Sequence, residues 1–219
     1  MRLVVFDLDG TLIDSVALIV ETVTEAFTAV GQTVPTEQQI RAISGITARE
    51  AMGILAPGSD AERVETILQS YRSHYQARAG VSREPLFAGA LAALDRLQAQ
   101  PETVLAVATG KGYRGALALL GRHAIIDRFQ FIQTPDHNRG MPDPQMIETA
   151  MEKAGIGREA TVMIGDTVHD MKMARSAGVK ALGVAWGYHE IAELTDAGAH
   201  LVIERFDDLD GAIDQLLEA

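Results

Sequence analysis

The chain has 219 residues, 47% of them hydrophobic and 22% charged, with no cysteine and a formal charge of −11. That length buries a real core in one large domain or two small ones, and the composition excludes collagen-like, disulfide-framework and disordered chains. Without thiols there is no zinc–thiolate or iron–sulfur chemistry, while 19 basic against 30 acidic residues and 5% aromatics argue against nucleic acid or an anionic membrane as partner.

The first apolar run, Leu3–Phe6, stops at Asp7 and is too short for a secretory segment. No stretch approaches the roughly 20 apolar residues of a bilayer span. A soluble, cytoplasmic protein is expected. Similar runs recur at Val104–Ala108, Phe129–Ile132, Val162–Ile164, Ala181–Ala185 and Leu201–Ile203. Continuous rather than alternating, they suit strands buried on both faces of a parallel sheet. Helices with legible ends lie between most of them. Pro142 and Pro144 open one that closes at Gly155, and another runs from about Val168 to Gly178. The alternation predicts an α/β fold, a Rossmann-like three-layer core around a parallel sheet.

Directly after the first run stands Asp7-Leu8-Asp9-Gly10-Thr11. Two carboxylates two residues apart at a strand end can face one site, one as a nucleophile and the other as a proton donor and acceptor. An Asp-rich turn that caps the next helix is the plainer alternative. An EF-hand is excluded, because Gly10 follows the second Asp immediately and the twelfth loop position is Leu18.

Residues 15–82 break the strand–helix rhythm. They hold no convincing strand run but three patterns of a helix-capping box: Thr36 with Gln39, Thr47 with Glu50, and Ser59 with Glu62. Gly31, Gly58 and Gly80 stand where helices should stop. An all-helical insertion is predicted there, leaving residues 1–14 and 83–219 as the α/β core. Such an insertion rises from the sheet edge where ligands bind, and is a candidate lid. Within it, Arg49 lies near Ser44-Gly45-Ile46, with surface solvation its plainer role.

After Val104–Ala108 come Thr109-Gly110-Lys111, a hydroxyl, free backbone N–H groups and an ammonium that together suit a phosphate. The same segment, Gly110 to Gly115, satisfies the dinucleotide pattern G-x-G-x-x-G, with Asp136 placed for a ribose. That reading leaves Asp7, Asp9, Asp166 and Asp170 unexplained. A P-loop fails, because Leu105 occupies its first glycine position. Gly165-Asp166-Thr167-Val168-His169-Asp170 follows a further apolar run. Its two aspartates, four apart, share a face if the turn becomes helical. With Asp7 they would make an all-oxygen site suited to Mg²⁺. Acids at a helix N-terminus also complement its dipole without any metal. His169 is read as a helix residue rather than a catalyst, and Trp186 to His189 either line a pocket entrance or pack in the core.

The run Phe6 to Ser15, with the helical insertion that follows it, resembles the first motif and C1 cap of the haloacid-dehalogenase-like (HAD) hydrolases, and phosphoglycolate-phosphatase-like members in particular. Gly165 to Gly178 resembles the family's fourth motif. The resemblance spans essentially the whole chain. It implies that Asp7 forms an aspartyl-phosphate, and that Asp9 protonates the leaving oxygen and then activates water. It implies further that Thr109, Gly110 and Lys111 hold the phosphoryl group. Mg²⁺ would sit on Asp7, the Asp9 carbonyl and Asp166, with Asp170 in or just behind that shell. A carboxylate at Asp9 favours phosphatase over dehalogenase. The expected reaction is Mg²⁺-dependent hydrolysis of a small phosphate monoester, with a small phosphorylated metabolite as the partner. Where the family usually has a lysine, Met141 opens Met141-Pro142-Asp143-Pro144, and Arg139 is the nearest candidate to supply the missing charge. A sugar-phosphate mutase, or a weakly active or non-catalytic binder of phosphometabolites, are the alternatives. Oligomeric state is not legible.

Overall fold

The computed structural model describes residues 1–80 and 83–218. Six parallel strands form one sheet in the order β3-β2-β1-β4-β5-β6. They are β1 (Arg2–Phe6), β2 (Thr103–Ala108), β3 (Phe131–Gln133), β4 (Thr161–Gly165), β5 (Lys180–Val184) and β6 (Leu201–Ile203). Each expected run forms a strand. The third begins two residues later than its apolar run because Ile126–Arg128 form a 3-10 turn and Phe129 packs into the core.

Strand pleating sends alternate residues to opposite faces. Val4 and Phe6 face one apolar layer, completed by α5 (Ala90–Gln98), α6 (Tyr113–Arg122) and α10 (Leu209–Glu218). Leu3 and Val5 face another, built by α7 (Gln145–Ala154), α8 (Val168–Ala177) and α9 (Ile191–Asp196). Both faces are therefore covered, which is why the runs are continuously apolar. α7 and α8 end where expected, on Gly155 and Gly178 at φ of 66° and 71°.

Between β1 and α5 lie α1 (Val16–Ala29), α2 (Glu37–Ala42), α3 (Ala48–Leu55) and α4 (Ala61–Arg78). They bury an apolar cluster of their own, including Phe27, Ile40, Met52, Ile67 and Leu68. Full burial of each such side chain contributes roughly 1.5–3 kcal/mol. Thr36 and Gln39 cap α2 reciprocally, and Thr47 caps α3 through the Glu50 N–H. The third pattern is shifted by one residue. Asp60, not Ser59, caps α4 through the Arg63 N–H. The predicted end of the insertion at Ser82 lies outside the described residues. Among the described residues no helix is long and apolar enough to cross a membrane.

Candidate active site

Chain order reverses beside β1, which pairs with β2 on one side and β4 on the other. In such sheets the crevice at the carboxyl ends of these strands is the natural ligand site. Phe6 is level with Val107 and Ile164, so Asp7, Thr109 and Asp166 emerge together at that edge. The Asp7 N–H donates to the Ile164 carbonyl at 3.0 Å, fixing where β1 lets go of the sheet. Gly10, at φ 85°, then turns the chain back under Asp166, where any Cβ would overlap the carboxylate.

One oxygen from each of Asp7, Asp166 and Asp170 falls within 4.8 Å of the others, and all three residues are buried. Asp166 is fixed from both sides, accepting from the Thr11 hydroxyl at 2.7 Å and from the Tyr188 N–H at 2.9 Å. Asp170 folds back on its own helix start and accepts from the Thr167 N–H at 2.9 Å and hydroxyl at 2.7 Å. Burial, followed by the charges of Asp170 and Asp166, pushes the Asp7 carboxyl well above its ordinary range, with the Thr109 hydroxyl offsetting part of that. Burial and Asp170 push Asp166 up to about 8, and burial pushes Asp170 up to about 6. Oδ1 of Asp7 and Oδ1 of Asp170 are buried without a hydrogen-bond partner. Leaving an acceptor so costs about 1–3 kcal/mol. Three converging carboxylates, two of them with an unpartnered oxygen, fit a hard, oxygen-seeking divalent cation, and the crowding is what such an ion relieves.

The Asp9 carboxylate lies outside this group. It turns to Lys111, whose ammonium is 2.8 Å from Oδ2. Burial works against the charge on Lys111, but Asp9 and neighbouring tyrosine and glutamate groups outweigh it and hold its pKa above the usual value. Thr109 is buried beside Asp7, and its hydroxyl accepts from the Lys111 N–H at 3.3 Å. Gly110 is pressed against the Gly45 carbonyl of the insertion, so closely that a Cβ would overlap it. Gly45 in turn leaves only 2.8 Å between a notional Cβ and the Thr167 hydroxyl. The insertion loop is thus wedged between two of the loops that build the site.

Arg139 is not brought here. Its side chain is 72% exposed and pairs at 3.2 Å with the half-buried Asp143, four residues on at the turn before α7. Met141 is buried in the apolar layer under the sheet, with Ala108, Met146 and Met171 in the same cluster. Asp136 is likewise committed: it takes the Tyr113 N–H at the start of α6, leaving the dinucleotide pattern without its ribose acid.

The segment after β5 divides its roles. Trp186 packs on Phe206 with ring centroids 4.4 Å apart and donates to the Thr11 carbonyl. Gly187 and Tyr188 close over Asp166. His189 accepts from the Val168 N–H through Nδ1, and its Nε2 lies 3.2 Å from the Arg41 carbonyl of α2. His169 stands beside His189, and burial pulls its pKa down to about 4. The sequence reading missed Tyr75, Glu84 and Arg122, which stand behind Lys111. Only the Tyr71–Tyr75 spacing on one helix face hinted at any of them. A cavity of about 1070 Å³ opens between the insertion and these loops. Asp7, Asp9, Lys111, Arg49, Arg72 and Arg114 all lie in its wall.

Residues 4–184 match the model of the haloacid dehalogenase-like hydrolase family. The probable phosphatase IndB of Dickeya dadantii is 34% identical over 99% of this chain and 95% of its own length. The phosphoglycolate phosphatase of Agrobacterium fabrum is 29% identical over 93% of this chain and 88% of its own. A crystal structure of a hydrolase from Pseudomonas syringae superposes with a TM-score of 0.87, at 28% identity, over 98% of this chain and 99% of that one.

Proposed function

The chain belongs to the haloacid dehalogenase-like hydrolase family and is a phosphoric monoester hydrolase, and from that premise we propose that it cleaves a small phosphate monoester through a phosphoryl group carried on Asp7. The observation that carries the reading is the convergence of Asp7, Asp166 and Asp170 beside an Asp9 whose carboxylate faces another way. One aspartate is thereby free to attack while its neighbour handles protons.

In the proposed sequence a carboxylate oxygen of Asp7 attacks phosphorus and the ester P–O bond breaks. Asp9 gives its proton to the departing alkoxide. Asp9 then removes a proton from water as that water attacks the same phosphorus. The Asp7–phosphorus bond breaks, and inorganic phosphate and a free alcohol leave. Thr109, the Gly110 N–H and Lys111 hold the phosphoryl oxygens, where charge builds in the transition state. Asp7, the Asp9 carbonyl and Asp166 would hold Mg²⁺, with Asp170 bracing that group. When bound, the ion supplies positive charge against both the carboxylates and the phosphate. The insertion, residues 15–82, acts in this reading as a cap over the core of residues 1–14 and 83–219, excluding bulk water and selecting the ester.

Phosphate release from a panel of sugar phosphates, 2-phosphoglycolate and p-nitrophenyl phosphate, with and without Mg²⁺, tests the reading. Asp7→Asn should lower kcat by on the order of 10³-fold or more while leaving thermal unfolding in place. Retention of near-normal turnover in that variant would refute it.

A further inference from the structure

We propose that Tyr75, on α4 of the insertion, is a positioning residue for Lys111, among the described residues the cation in contact with an active-site aspartate: its hydroxyl fixes the Lys111 ammonium beside Asp9, so that the charge is in place while the insertion rests on the core. The inference depends on the phosphatase reading above.

A lysine ammonium is a compact, strongly hydrated charge on a flexible stem, so its position must be imposed. Here Nζ has two side-chain partners, Asp9 Oδ2 at 2.8 Å and the Tyr75 hydroxyl at 3.0 Å, and stands 4.7 Å from the Tyr75 ring centroid. Because an ammonium only donates, the tyrosine oxygen must accept from it and turn its own proton elsewhere. That proton goes to Glu84 Oε1. The other Glu84 oxygen takes a 2.8 Å bond from Arg122, and the Glu84 carbonyl lies 2.8 Å from His123 Nε2. Glu84 has no exposed surface. Every link therefore has one direction, from Lys111 to Tyr75 to Glu84, with Arg122 closing the far end.

The line alternates in charge, Asp9, Lys111, Glu84, Arg122, and Tyr75 is its one neutral member. Lys111 lies just before α6 and Arg122 is its last residue, and Glu84 lies where the chain returns from the insertion to the core. Tyr75 alone comes from the four insertion helices. Withdrawing α4 removes the hydroxyl and leaves two buried charges, Lys111 and Glu84, each short of a partner. The family's usual lysine position is Met141, sunk in an apolar layer, and Arg139 points to solvent. Among the described residues Lys111 is thus the cation that contacts one of the four aspartates, Asp9, and the insertion is what holds it.

The test is Tyr75→Phe, which keeps the ring and removes the hydroxyl, assayed on p-nitrophenyl phosphate with Mg²⁺ in two backgrounds. In the wild-type background kcat should fall about 10-fold with KM changed less than about 2-fold. In a Lys111→Met background the same change should cost less than about 2-fold, because the residue it serves is gone. Unchanged kcat, or an equal loss in both backgrounds, overturns the proposal, the second marking a purely structural role. Should Tyr75→Phe fail to fold, Glu84→Gln asks the question from the other side of the hydroxyl. It should also lower kcat at constant KM and lose its effect beside Lys111→Met, and unchanged kcat overturns the proposal. A wild-type chain that releases no phosphate from any ester overturns the phosphatase reading as well. An inert Tyr75 overturns this inference alone.

Discussion

The loops after β1 and β4 and the loop after β3 all leave the same edge of the sheet, yet they deliver opposite things. The first two deliver charge under tight control. Asp166 is gripped by Thr11 and Tyr188, Asp170 by Thr167, and glycines at positions 10, 165 and 187 let the backbone approach where a Cβ would overlap a carboxylate. The third delivers none. Arg139 pairs outward with Asp143, and Met141 extends the apolar layer beneath the sheet. The lesson is that negative charge in this site is fixed by the core, whereas protein-borne positive charge depends on Lys111 and on the insertion that holds it.

The largest effect that tests this contrast is at Lys111. Lys111→Met should lower kcat by about 100-fold, the cost of losing one preorganised group at the phosphoryl oxygens; steady-state phosphate release checks it, and a loss below tenfold would shift the charge to another residue. Met141→Lys should bring no gain in turnover, because the ammonium would start inside an apolar layer. It should instead destabilise the fold by about 2 kcal/mol or more, read as a lower Tm. A clear rise in kcat would mean that the β3 loop can still deliver a cation.

The aspartate side of the contrast makes a prediction about pH. Asp166 and Asp170 titrate near 8 and 6 in the folded chain, above the ordinary carboxylate value near 4 in an unfolded one. Stability from these groups is therefore complete below about pH 4 and is lost as pH rises through 6 and then 8. In EDTA, Tm should fall between about pH 5 and pH 8, and added Mg²⁺ should raise it most at the upper end, where the carboxylates are charged. A Mg²⁺ effect that shrinks as pH rises would count against the cluster as the metal's seat. The smallest effect belongs to Arg139→Ala, which should change kcat less than about 2-fold. A larger loss would reinstate that residue as a phosphate ligand.

Much of this was readable in the sequence because it is local. Asp7 and Asp9 follow a strand directly, Asp166 and Asp170 are spaced by one helical turn, and buried parallel strands announce themselves as unbroken apolar runs. Thr109 and Lys111 were legible for the same reason. What escaped was assembled from distant segments. Glu84 sits in a stretch with no periodicity, and nothing near it in the chain reveals that Arg122 and Tyr75 will bury it. Arg139 misled because proximity in sequence to Met141 says nothing about direction. Its i,i+4 acid, Asp143, was the local signal that it would turn outward. At Ser59 the pattern was right in kind and off by one residue, as Asp60 takes the cap position.

The central claim is that the phosphoryl group passes through Asp7. Acid-quenched turnover on a phosphate monoester, followed by peptide mass mapping, tests it directly. The peptide carrying Asp7 should gain one phosphoryl group during turnover, and the gain should vanish in Asp7→Asn. A phosphoryl group on a different residue, or one that persists in Asp7→Asn, would contradict the account.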